Sequence, residues 1–149
     1  MEFFPRPLSS EESDRFAERI QNEFRLRNYG LYAAELRDSR EFIGYIGLSH
    51  PDFPAHFTPC VEIGWRLDSG HWGRGLATEG ARAVLAHAFD VLDLSDLVSF
   101  TVPANARSLR VMEKIGMTRN PAEDFDHPKL PQGHSLCRHV LYRIRRPAR

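Results

Sequence analysis

Apolar side chains recur at helical spacing in three stretches of the chain and fall into strand-length runs in five others. In "LSSEESDRFAERIQNEFRLRN", Phe16, Ala17, Ile20 and Phe24 share one helical face, and serines followed by glutamates make an amino-terminal capping signal. This predicts an amphipathic helix over 10–27, ended by Gly30. "LYAAELR" and "EFIGYIGLS" are strand-like runs joined by the polar "DSR", the pattern of a β-hairpin, and "VEIGWRL" is a third strand. From Thr78 the positions Ala81, Val84, Leu85, Ala88, Phe89 and Leu92 keep helical spacing. "LVSFTV" is a fourth strand, stopped by Pro103. Asn105 is suited to cap the helix "ARSLRVMEKI", and Gly116 stands where that helix should end in a left-handed residue. "SLCRHVLYRIR" is the last strand. Two proline-bearing segments, "HPDFPAHFTPC" and "NPAEDFDHPKLPQGH", break the periodicity and read as long loops.

Hairpins first and helix-separated strands later predict an α/β chain of the mixed α+β kind. Its sheet should be mixed, with helices on its faces, in a single domain over 1–149. Composition changes little in this picture and removes some functions. Twenty basic and twenty acidic residues cancel, so no global field draws in nucleic acid or a membrane surface, and the terminal "RIRRPAR" reads as a solvated tail. Cys60 and Cys137 form no CxxC pair and the seven histidines show no ligand spacing, so no metal site or disulfide framework is expected. The cysteine usage, the absence of a membrane-length apolar run and an amino terminus unlike a signal peptide together suggest the cytoplasm.

The stretch "HWGRGLATEG" sets the chemical question, because it puts bare backbone where a helix begins. First-turn N–H groups and the helix dipole attract an anion, and Gly73 and Gly75 remove side chains that would keep it off the main chain. Arg74 and Arg66 could add positive charge. Two familiar phosphate loops fail at specific positions. Gly70 and Gly75 have P-loop spacing, but Leu76 and Ala77 stand where lysine and a hydroxyl are required. Gly73 and Gly75 are followed by Thr78 rather than a third glycine, with no ribose-binding acid downstream.

"WGRGLATEG", preceded by "VEIGWRLD" and followed by "NARSLRVMEKIGM", resembles the GNAT superfamily of acyl-CoA N-acetyltransferases. Within it the chain is most similar to the branch that includes ribosomal-protein amino-terminal acetyltransferases. The resemblance runs from the first helix to the last strand and implies a mostly antiparallel sheet flanked by helices. It further implies that Gly73, Arg74, Gly75, Leu76, Ala77 and Thr78 hold the pyrophosphate of acetyl-CoA through backbone N–H groups. Trp65, Arg66 and Leu67 would run beside the pantetheine arm, and Trp72, where the family usually has Gln or Arg, would pack beside the adenosine or the pantetheine.

Amine acetylation needs a base for the ammonium, hydrogen bonds for the thioester oxygen and a proton for the leaving thiolate. Glu62, an acid in an apolar strand upstream of the glycine turn, is the candidate base. The resemblance places the backbone of Ile63 to Trp65 at the thioester oxygen. Asn105 is a helix cap, a coenzyme contact or both. Ser108, one turn into that helix, could contact the coenzyme and serve as the acid. Many family members carry a tyrosine seven residues after the asparagine, where this chain has Met112, so the acid is left to Ser108 or Tyr142.

The acceptor would be an amine, on a small molecule or a protein amino terminus. It would be met by the first helix and the two loops, where Asp124, Asp126 and His127 are candidates to attract a cation. Relatives begin with one more strand and helix, so the edge of "LYAAELR" should be open. That invites a homodimer, with a chain cut short as the alternative. A coenzyme-binding module without catalysis is the competing function.

Overall fold

The computed structural model describes residues 3–149. Helix α1, Ser10–Arg27, starts on a capping box in which Ser9 and Glu12 each bond the other's backbone. It ends on a left-handed cap at Asn28, φ 67°, two residues before the Gly30 expected to stop it. The hairpin follows as β1 (Leu31–Glu35) and β2 (Phe42–Ser49), and β3 is Glu62–Leu67. A 3-10 turn over Ser69–His71 leads into α2, Leu76–Asp90. Then come β4 (Asp96–Thr101) and α3 (Ala106–Lys114), the latter capped by Asn105 and followed by Gly116 at φ 93°. Two strands escaped the periodicity, β5 (Thr118–Arg119) and β6 (Phe125–Asp126). Strand β7 spans Arg138–Arg145, so Ser135, Leu136 and Cys137 belong to the loop before it.

The strands line up as β1-β2-β3-β4-β7-β5, with β6 on a separate stretch of β7. Every neighbouring pair is antiparallel except β3 and β4. That parallel seam is held by one residue pair, Glu62 opposite Val98, while β2–β3 and β4–β7 each pair over six positions. The sheet therefore parts beyond Glu62.

Strand alternation sends alternate side chains to opposite faces. One face packs Ile46, Leu48, Ile63, Leu97, Val140 and Tyr142 against α2 and α3, which contribute Ala81, Val84, Ala88, Phe89 and Met112. Close packing there depends on Gly80, where an added Cβ would lie 2.2 Å from Ile46 Cδ1. The other face carries Val98 and Leu141 with Phe53, Phe57 and Phe125. Helix α1 contains no buried residue, and its Phe16 leans on Tyr45 and its Phe24 on Tyr32. Its apolar stripe faces a cavity instead of a core. Among the described residues no strand covers the outer edge of β1, and no helix is long and apolar enough to cross a membrane.

Candidate active site

The parted seam opens into two cavities of about 630 and 620 Å³. Both are lined by Trp65, Arg66, Asn105 and Ser108, so they meet there. The first runs from that junction to the start of α2. Gly73 and Gly75 both have φ of 74°, which L residues rarely adopt, and a Cβ at either would meet nothing within 4 Å. Gly75 is the helix cap and offers no side chain, so the N–H groups of Leu76, Ala77 and Thr78 have no side-chain cap. A 15-residue helix thus presents its positive end to open space.

Of the two arginines that the sequence offered for this space, Arg66 lines it and Arg74 does not. The Arg74 guanidinium lies 3.1 Å from Nδ1 of His71, which does line it. The cations that line it are Arg66 on β3 and Arg107, Arg110 and Lys114 on α3. Positions 107, 110 and 114 fall on one helical face, a spacing that could have flagged them as a basic stripe. Arg107 stacks on Trp72 at 3.9 Å, and the Trp72 indole donates to the carbonyl of Leu67 at 2.9 Å, which fixes this wall to the end of β3. These residues fit the diphosphate and further phosphate of a coenzyme A thioester, which would bring an acyl group on a good leaving thiolate. The backbone of 73–78 would hold the diphosphate, with α3 supplying the balancing charge.

Backbone geometry along β3 decides what can meet the rest of such a ligand. The carbonyl of Val61 accepts from Val98 N–H, so odd-numbered positions turn their peptide groups towards β4 and even ones towards β2. Ile63 flanks Glu62, the one residue of β3 paired with β4, and Gly64 faces β2. Trp65 is then the first residue whose N–H and C=O face the opening. Of the segment Ile63 to Trp65, it alone is placed to bond a ligand lying in the seam.

Glu62 sits where the seam begins to part. Protein crowds its carboxyl, and this desolvation pushes it from 4.5 up to about 8, opposed by the Ser49 hydroxyl, which donates to Oε2 at 3.3 Å. It lines the second cavity with Ser108, whose Oγ accepts from the Trp65 indole at 3.3 Å, leaving the hydroxyl proton free to be given elsewhere. Asn105 accepts from Ser108 N–H and donates to Thr101 Oγ1, so it is a helix cap lying on both cavities. Tyr142 does not join this group. It is 7% exposed, its hydroxyl donates to Glu113, and it lines neither cavity, so the core holds it on the helix-packed face away from the junction. Met112, 1% exposed, fills the position where a tyrosine would have stood.

The second cavity is walled by α1 and both proline-bearing loops. Asp124 pairs with Arg119 and Asp126 with Arg138, and neither lines the cavity; of the three candidates for attracting a cation only His127 does.

Two cavities meeting at one hydroxyl, one cationic and the other flanked by a carboxyl able to take a proton near neutrality, define a transferase for an anionic donor and a separate acceptor. The chain belongs to the GNAT acetyltransferase family. The family model for the "Acetyltransferase (GNAT) domain" matches residues 1–118. The uncharacterized N-acetyltransferase YnaD of Bacillus subtilis is 31% identical over 144 residues, covering 97% of this chain and 79% of that one. The crystal structure of an acetyltransferase from Agrobacterium tumefaciens superposes with a TM-score of 0.72 at 32% identity, covering 96% of this chain and 75% of that one. The fold alone is shared with two more distant structures. These are the Vibrio fischeri ribosomal-protein-S5-alanine acetyltransferase (TM-score 0.72, 15% identity, 94% and 77% covered) and the Salmonella typhimurium acetyltransferase yncA, solved with acetyl-CoA (0.70, 17%, 96% and 77%). The protein is thus an acyl-CoA N-acyltransferase of the acetyltransferase kind.

Proposed function

We propose that the protein moves the acetyl group of acetyl-CoA to a primary amine by direct attack, with both substrates bound at once. The meeting of the two cavities at Ser108, with the carboxyl of Glu62 lining one of them, carries this reading. Acetyl-CoA lies with its diphosphate on the N–H groups of 73–78 and its arm along Trp65 and Leu67. The likeness to a fold solved with that coenzyme supports the placement. Glu62 accepts the proton of the bound ammonium, directly or through a water, and its raised affinity for protons suits a base working near pH 8. As the C–N bond forms and the C–S bond breaks, Trp65 N–H bonds the carbonyl oxygen. Ser108 gives its hydroxyl proton to the sulfur and recovers one shed by the nitrogen.

The acceptor is a small amine or an amino terminus. The free cysteines fit a reducing cytoplasm, and the open edge of β1 suits pairing with a second copy. Thiol release from acetyl-CoA with a panel of amines tests the reading. Glu62→Gln should lower kcat by about a hundredfold or more, with coenzyme affinity unchanged. Met112 in place of the tyrosine favours the rival reading, a coenzyme-binding module without catalysis. Coenzyme binding with no thiol release from any amine would establish that rival.

A further inference from the structure

The second cavity has two histidines whose polar edges are set in opposite senses. His139 Nδ1 lies 3.1 Å from the carbonyl of Cys137, which can only accept, so that nitrogen carries the proton and Nε2 is an acceptor. His127 Nδ1 accepts the N–H of Lys129 at 3.2 Å, so in the neutral ring Nε2 is a donor. Burial holds both rings neutral near pH 7: His139 is lowered, and His127 falls to about 4, helped by its neighbour. Among the described residues no buried side-chain nitrogen or oxygen lacks a partner and no hydrogen bond reaches either Nε2, so both open onto the cavity they line. The ring centroids are 5.0 Å apart, close enough to set the two edges around a single hydroxyl that accepts from one and donates to the other.

Phe53 and Phe100 make the adjoining wall, with Phe53 4.4 Å and Phe100 6.3 Å from His127 between centroids. Phe100 follows Val98 on the sheet face that Glu62 shares, and His139 lies beyond it on β7. Glu62 and His139 are two strands and four residues apart, on the order of 15 Å between Cα atoms. The other carboxylates lining the cavity among the described residues are each paired, Asp52 with Lys129 and Glu23 with Arg27, so a second cationic centre would have to compete for them.

We infer that the acceptor is an elongated primary amine on an uncharged aromatic body, ending in a group such as a hydroxyl that accepts from His127 and donates to His139. This rests on the assignment of the cavity beside Glu62 to the acceptor. The body lies against Phe53 and Phe100, and the amine reaches Glu62.

Tyramine, phenethylamine and spermidine serve as probes, as acceptors in thiol release and as ligands of the unloaded protein in ligand-observed NMR. Tyramine should exceed phenethylamine in kcat/KM by about tenfold or more, because an analogue without the hydroxyl leaves the imidazoles unpaired, and it should exceed spermidine further. His127→Phe and His139→Phe should each collapse the tyramine-to-phenethylamine ratio to within about threefold. Preference for spermidine, equal use of tyramine and phenethylamine by the unaltered protein, or a ratio that survives both substitutions would overturn the inference. The binding ranking by NMR stands without turnover. Coenzyme titration distinguishes the failures: no coenzyme binding sinks the acetyl-transfer reading, whereas binding without a tyramine preference sinks only this inference.

Discussion

Replacing Glu62 by glutamine should change how folding stability depends on pH, by an amount set by the surroundings of the carboxyl. In the folded protein the group binds its proton up to about pH 8, against an ordinary value of 4.5. A raised acid makes the folded state the better proton binder between those values, so its favourable contribution is complete below 4.5. It is lost as pH climbs through 8 and is constant above. With these two values the loss between pH 5 and pH 9 is about 4 kcal/mol, and about 2.5 kcal/mol for a folded value one unit lower. Glutamine keeps the shape and still accepts from Ser49 but cannot ionise. The assay is urea unfolding of both proteins at matched pH from 5 to 9, plotted as the difference between them so that every other titration cancels. The variant should gain on the original protein by 2.5–4 kcal/mol across that range. A difference that stays within about 1 kcal/mol, or that grows as pH falls, would refute the reasoning. It would mean that Glu62 is solvated and ionised at neutral pH.

Other outcomes follow from the same geometry. Ser49→Ala removes a hydrogen bond to the ionised carboxyl, so the rising limb of kcat/KM against pH should move to higher pH by several tenths of a unit. Gly75→Ala adds a Cβ where the diphosphate should lie and strains a φ of 74°. Calorimetry should show at least about tenfold weaker coenzyme binding, with a stability loss of about 1 kcal/mol. Arg110→Glu with Lys114→Glu should weaken coenzyme binding about tenfold or more at low salt, a deficit that shrinks as salt is added. Gly80→Ala must push Ile46 aside and should lower stability by about 1–3 kcal/mol in thermal unfolding.

Much of the fold was legible because burial is periodic. The helices each expose one face and write a period of 3.6 into the residues, while the central strands, packed on both faces, show as short runs rich in β-branched and aromatic residues. Helix α1 began and ended where its periodicity indicated, though Asn28, which also tolerates the left-handed region, stops it before Gly30 is reached. Strands β5 and β6 were illegible for a physical reason. Two residues cannot display a period, and each exists only because β7 offers it backbone partners. Tyr142 shows the same limit at a side chain: alternation says that it shares a face with Val140, but not that this face is sealed against the helices.

Sequence alone determined the glycine turn at the mouth of α2, the family, and Glu62 as an acid in an apolar strand, because local steric freedom and chemical type are carried by single residues and short spacings. Only the tertiary structure decided that Arg107, Arg110 and Lys114 rather than Arg74 surround that turn. It alone decided that Ser108 sits at the junction and that His127 faces His139 across a wall of phenylalanines. Those meetings depend on where the β3–β4 seam parts and on how distant loops fold over it. Such contacts join residues far apart in the chain, so their energies leave no short-range period to read.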